Sequence, residues 1–391
     1  MTFEGIKSLY NCSAMPTYSR FELALKSGKG ATAYDCKGKK YIDFTSGIGV
    51  NSLGWCDQGW VEAISRQASL LTHTSNLFYN EATAVLTKKL TELTGFSKAF
   101  LANSGAEANE CAIKLARKAS FDKFGQDRFE IITFNDSFHG RTMSTLTATA
   151  QNALHPKCFA PYNDGFVYCD KNIESVSNAI TPKTCAIMLE MIQGEGGVIP
   201  MDRSFVQDLF TLANKNDIVV IVDEVQTGIS RTGKLCAFEH FGIKPDIITL
   251  AKGLGGGLPI GACLCSEELA ETMSVGSHGS TFGGNPVVCA GASYVLDKVS
   301  DGSFLDSVTK KGEYIRNKVL SFKNIKSVRG LGLMIGIEVA DKTGKDIACE
   351  CIENGLMVLT AKNLVRLLPP LNITESEIDE GLMILKRIIE K

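Results

Sequence analysis

Hydrophobic and polar positions along the chain follow two different periods. Between about residues 100 and 265, short and nearly continuous apolar runs (FEIITF, CAIMLE, DIVVIVDE, DIITLA and GACLC) are separated by stretches with apolar residues three and four apart. Apolar runs of that length predict strands buried on both faces, and the intervening period predicts the helices that cover them. The alternation is the signature of an α/β layer fold with a mostly parallel sheet, whose strand ends deliver polar residues to a ligand. Upstream, YIDF after the turn KGKK predicts a short strand, while GWVEAISRQASLL and NEATAVLTKKLTELTG predict helices, the second stopped at Gly95. After about residue 285 a long helical segment precedes IKSVRGLGLMIGIEV and ENGLMVLTAKNLVRLLPPLNI, and a last helix begins at Glu375. These later strands stand apart from the central series and predict a smaller α+β domain. The expected division is residues 1–50 as an amino-terminal segment joining the small domain, 51–285 as a large domain, and 286–391 as the rest of the small one.

Bulk composition narrows the function classes. With 391 residues, 44% hydrophobic and 21% charged, the chain is long enough for two or three units around sizeable cores. Lysine and arginine total 41 against 43 acidic residues, so there is no positive excess to hold a nucleic-acid backbone. No apolar run reaches the 18 or so residues of a membrane span, and MTFEGIKSLYNC lacks the basic and apolar regions of a secretory signal. A cytoplasmic protein is expected. The 13 cysteines form no paired CxxC motifs, which argues against a zinc site or a disulfide framework, and no metal is expected.

Candidate chemistry concentrates in VVIVDEVQTG and IITLAKGLGGGLPIGA. Asp223 closes one apolar run and Lys252 follows another, so a parallel sheet would bring both to one cleft. A lysine at the start of a glycine-rich loop suits Schiff-base formation with a carbonyl, and an aspartate suits a protonated ring nitrogen. The alternative makes Asp223 and Glu224 helix-starting acids and Lys252 an exposed charge. In FLANSGAEANECAIKLARK, Ser104 and Gly105 open a helix whose free N–H groups make an anion cradle, although a plain serine cap has the same signature.

In order along the chain stand NSGAEANE, SFHGRT, IQGEGG, VDEVQTG, TLAKGLGGGLPIGA, HGSTFGGNP, GLGLMIGIE and RLLPPLNI. With these motifs the chain resembles the class III, fold-type I pyridoxal-phosphate aminotransferases, and among them the acetylornithine aminotransferases of arginine biosynthesis, over nearly its whole length. The resemblance implies pyridoxal 5'-phosphate held by Lys252, with Asp223 at the ring nitrogen, Gln226 near the phenolic oxygen and Phe138 stacked on the ring. Glu224 and Val225, in the same VDEVQTG motif, are expected among the cofactor contacts. Ser104, Gly105 and Ala106 would cradle the phosphate. Thr281, and Ser280 beside it, would come from the neighbouring subunit of a homodimer with composite sites.

The resemblance also assigns the substrate side. Arg141 would receive the α-carboxylate of N2-acetylornithine or the distal carboxylate of glutamate. Arg366 would receive the α-carboxylate of glutamate or 2-oxoglutarate, with Glu195 neutralising it when the donor has no carboxylate there. Without the resemblance, both arginines read as helix-cap, salt-bridge or surface residues. Gly47 stands where ornithine aminotransferases carry a tyrosine, which favours an acylated donor. Succinylornithine, another ω-amino acid, or an aminomutase reaction on the same fold remain alternatives. Three departures from the family pattern stand out: Met191 for a proline, Ser230 for a glycine, and no histidine in SLGWCD.

Overall fold

The five apolar runs form the middle of a seven-stranded sheet in the computed structural model, which describes residues 1–391. Its order is Lys98–Ala102, Gly261–Cys265, Ile247–Leu250, Val219–Asp223, Thr184–Leu189, Glu130–Phe134 and Phe166–Cys169. Only Gly261–Cys265 runs against the others, pairing antiparallel with both neighbours. The inner strands are buried along almost their whole length, as their unbroken apolar sequence requires. The two edge strands, Lys98–Ala102 and Phe166–Cys169, lie outside the predicted runs although KAFLA and FVYC are themselves apolar; both are only partly buried, as sheet edges are.

Helices cover this sheet. Asn80 caps Glu81–Thr94, and Gly95 ends it in the left-handed conformation, as the sequence predicts. The helical stretch after residue 285 is two helices, Pro286–Val299 and Gly302–Leu320, because Asp301 caps a new start. No helix is long and apolar enough to cross a membrane.

The carboxy-terminal strands form a separate antiparallel sheet in the order Ile325–Leu331, Met334–Val339, Leu364–Leu367 and Leu359–Ala361. A third sheet joins the chain's two ends. In it the amino-terminal strand Lys40–Asp43 pairs in parallel with Leu356–Met357, aligning Ile42 with Leu356. The last helix, Glu375–Ile389, packs on Lys40–Asp43 through its apolar face.

Candidate active site

Parallel strands point their carboxyl ends the same way, and the chain uses this to gather polar groups from five strands at one edge of the large sheet. Ser104 follows Lys98–Ala102, Phe138 to Arg141 follow Glu130–Phe134, Glu190 follows Thr184–Leu189, Asp223 ends its strand, and Lys252 follows Ile247–Leu250. They line a cavity of about 460 Å³ together with Gly105, Ala106, Glu195, Val225, Gln226 and Val50.

Lys252 has φ +40°, a left-handed conformation costly for a residue with a side chain, of the kind that clusters at functional sites. Burial pulls its ammonium below the ordinary lysine value; Glu195, Asp223 and Glu190 oppose that shift, and Arg366 adds to it. The result is an amine more readily neutral than a surface lysine.

Asp223 is held from three sides. Its Oδ2 accepts from Asn109 Nδ2 and from His139 Nδ1, each at 2.8 Å, and its Oδ1 accepts from the Val225 N–H at 2.9 Å. An ionised carboxylate only accepts, so the His139 proton belongs on Nδ1. Asn109 is itself fully used: Nδ2 also donates to the His139 carbonyl at 2.7 Å, and Oδ1 accepts from Thr249 at 2.6 Å. With 4% of its surface exposed, Asp223 is a buried, oriented charge facing the cavity.

The helix Gly105–Phe124 opens on the same cavity. Ser104 Oγ accepts from the Glu107 N–H at 3.2 Å, while Glu107 reaches back to the Asn103 N–H at 2.7 Å. This reciprocal cap fixes the terminus and leaves the first helical N–H groups, at Gly105 and Ala106, for an anion. Glycine is needed at 105, because a Cβ there would lie 2.7 Å from Val225 Cγ1.

Arg366 arrives from the carboxy-terminal sheet, paired there with Gly336. Its Nη1 donates to Glu195 Oε1 at 2.7 Å and to Gln226 Oε1 at 3.2 Å, and its Nε is buried without a partner. Burial pushes the Glu195 carboxyl up, but the charge and hydrogen bond of Arg366 outweigh it and hold it below the ordinary value. Arg366 is only 3% exposed, whereas the Glu195 side chain is 30% exposed, so the carboxylate is the freer member of the pair. Arg141 is exposed, lines the cavity, and sits 5.5 Å from the Phe138 ring centroid with no ion-pair partner.

Other sequence-selected residues lie elsewhere. Glu224 points away from the cavity, as strand alternation dictates for the neighbour of Asp223. Its carboxylate accepts from the Phe238 N–H at 2.8 Å and from the Thr227 hydroxyl, which holds the side chain outside the cavity. Burial pushes Glu224 up to about 7. Ser280 and Thr281 do not line the cavity of their own chain; Ser280 Oγ accepts from Asn103 Nδ2 at 3.0 Å, and Thr281 is exposed. Sequence patterns missed Glu190. Its oxygens accept the Phe138 N–H at 3.0 Å and the Gly194 N–H at 3.1 Å, tying together two walls of the cavity, and burial pushes it up to about 7.

Comparison with known proteins identifies the family. The family model described as aminotransferase class-III matches residues 14–389. An acetylornithine aminotransferase of Haemophilus ducreyi is 48% identical, covering 100% of both chains. Among solved structures, N-acetylornithine aminotransferase from Stenotrophomonas maltophilia matches with a TM-score of 0.84 at 34% identity, covering 98% of each chain. Ornithine aminotransferase from Toxoplasma gondii, whose structure reports PLP at the active site, matches with a TM-score of 0.94 at 30% identity, covering 99% of this chain and 94% of that one. Spanned by the family model and aligned end to end with a relative, the chain belongs to the class-III aminotransferases, enzymes that depend on pyridoxal phosphate.

Proposed function

We propose that this enzyme moves the terminal amino group of N2-acetylornithine to 2-oxoglutarate, giving N-acetylglutamate 5-semialdehyde and glutamate, as a step of arginine biosynthesis. The observation that carries the reading is the Arg366–Glu195 pair beside Lys252. One pocket must accept a dicarboxylate in one half-reaction and, in the other, an amine with no carboxylate at that position. A buried arginine with a more exposed counter-charge suits both. With the amine donor bound, Glu195 satisfies the guanidinium; with the oxo acid bound, the substrate carboxylate takes its place. The 48% identity to an acetylornithine aminotransferase supports the acylated donor.

The residues fit pyridoxal phosphate. The helix terminus at Ser104 to Ala106 would hold its phosphate, the buried Asp223 carboxylate its ring nitrogen, Phe138 its ring face, Gln226 its phenolic oxygen, and Lys252 its aldehyde. A Cβ at Gly105 would crowd Val225 and narrow this cradle. When bound, the cofactor supplies an electron-withdrawing ring that makes the donor carbon acidic. Lys252 Nζ, kept readily neutral by burial, takes the proton from the carbon bearing the transferred nitrogen. Asp223, fixed by Asn109 and His139, keeps a negative charge opposite the ring nitrogen. Arg141, free of ion pairs at the cavity wall, orients the donor's α-carboxylate.

The reading carries with it a cytoplasmic homodimer with composite sites. Leu77, Phe78, Tyr79 and Phe282 are exposed large apolar residues on the surface that also bears Thr281, an unusual cost for an isolated chain. A second donor, unacylated ornithine, is favoured by the likeness to the Toxoplasma gondii structure. Gly47 speaks for the acylated one: it is exposed, and a side chain there would meet only Asn51, 3.6 Å away, so space is left beside the loop. The test is kcat/KM for N2-acetylornithine, N2-succinylornithine, ornithine and 4-aminobutyrate, each with 2-oxoglutarate. The reading expects the acetylated donor to lead; a lead by ornithine transfers the assignment to the second reading.

A further inference from the structure

Arg231 lies outside the cavity, at a buried node joining three parts of the chain. Only 2% of it is exposed. Its Nη1 donates to the Leu333 carbonyl at 3.1 Å and to the Pro369 carbonyl, and its own carbonyl accepts from the Leu333 N–H at 3.0 Å. These two segments flank the strand pair that presents Arg366. Leu333 immediately precedes Met334–Val339, whose Gly336 is paired with Arg366, and Pro369 follows Arg366 by three residues.

Asp43 is fully buried at the end of Lys40–Asp43, and burial pushes its carboxyl up. Asp43 Oδ1 accepts from the Thr45 and Ser46 N–H groups at 2.7 and 3.1 Å. Its Oδ2 and Arg231 Nη2 are both buried without hydrogen-bond partners. The next residue, Phe44, accepts from the Leu368 N–H at 2.8 Å, so the amino-terminal segment also grips the chain two residues beyond Arg366.

The approach to Arg231 is held in an uncommon backbone conformation: Ile229 and Ser230 have φ of +55° and +69°. Ser230 holds a left-handed position despite its side chain, and its hydroxyl donates to the Val299 carbonyl at 2.7 Å. Burial pulls the Arg231 guanidinium down to about 9, so a charge held here is a poor explanation of stability alone. What a planar guanidinium supplies, and an apolar side chain does not, is two directed bonds that fix two carbonyls relative to each other.

We propose that Arg231, through its bonds to the Leu333 and Pro369 carbonyls, is a positioning residue for Arg366 that sets where the guanidinium meets the carboxylate of the oxo acid. This rests on Arg366 being the carboxylate-binding group. Arg231 then governs the half-reaction that takes the oxo acid and leaves the amine half-reaction, in which Glu195 occupies Arg366, nearly untouched.

In ping-pong kinetics kcat/KM for each substrate reports its own half-reaction, so the two effects separate in the holoenzyme. Arg231→Lys and Arg231→Gln are expected to lower kcat/KM for 2-oxoglutarate by about tenfold to a hundredfold, and that for the amine donor by less than about threefold. Should Arg231→Gln fail to fold, Arg231→Lys, which keeps the charge and a directed bond but loses the planar fork, is expected to show the same selective loss by itself. Equal losses in both half-reactions, or none, in protein that retains its cofactor absorbance overturn the inference. Arg366→Lys is the control for the reading beneath it: if 2-oxoglutarate kinetics ignore that change, the role of Arg366 fails instead.

Discussion

At the residue scale, the chemistry depends on buried charges whose environments are set by specific neighbours. Lys252 is the most exposed to test. Replacing it by alanine removes both the cofactor anchor and the proton carrier, and the expected loss of turnover is at least on the order of a thousandfold. Borohydride reduction of the wild-type holoenzyme followed by peptide mapping should label Lys252; a label on another lysine contradicts the assignment. Glu224 gives a stability prediction. Its folded value of about 7 lies above the ordinary 4.5, so its contribution is complete below about pH 4.5 and is lost as pH rises through about 7. Glu224→Gln keeps an acceptor for Phe238 and removes the titration. Its stability relative to wild type should therefore rise between pH 5 and pH 8, by on the order of 3 kcal/mol at most. A pH-independent difference in denaturant melts counts against this.

Single residues were also where sequence was least informative. Lys252 and Asp223 announce themselves because each follows an apolar run that can only be a buried strand. Glu190 closes the run CAIMLE as Asp223 closes its own and could have been found by the same mark; Asn109 and Arg231 carry none, because their roles lie in hydrogen bonds to residues 30 to 140 positions away, which no local period encodes. The direction of the Glu224 side chain was not legible either, because a motif is contiguous in sequence while side chains alternate across a strand.

At the element scale, strand ends and helix starts do the positioning. The five inner strands were legible because burial on both faces leaves an unbroken apolar run; the two edge strands, KAFLA and FVYC, are apolar too, so the same mark would have found them. The direction of Gly261–Cys265 was illegible, because apolar content says nothing about polarity of the strand. The start of helix Gly105–Phe124 is the element most sensitive to a small change. Gly105→Ala places a methyl 2.7 Å from Val225 Cγ1 and should weaken cofactor binding about tenfold, read by absorbance titration with pyridoxal phosphate. Adding Val225→Ala makes room for it and should recover most of that loss. If the double variant binds no better than the single, the crowding account is wrong.

At the scale of the whole molecule, two sheets built from distant parts of the chain meet at Arg366 and Glu195, and the chain's two ends share a third sheet. The periodicity of the sequence separates the central strands from the later ones; the meeting of their sheets at one ion pair is tertiary and had to be seen. The exposed apolar cluster around Phe78, Tyr79 and Phe282 predicts a solution mass of twice 42.2 kDa by sedimentation equilibrium, with dissociation on introducing charge at Tyr79. A monomer at micromolar concentration would remove the composite site from the account.

The most direct test of the central claim follows the nitrogen itself. N2-acetylornithine labelled with nitrogen-15 at its terminal amine is incubated with 2-oxoglutarate and the holoenzyme, and glutamate is analysed by mass spectrometry. The account predicts one labelled glutamate for each semialdehyde formed; label retained in an isomerised donor or released as ammonium, with glutamate unlabelled, would contradict it.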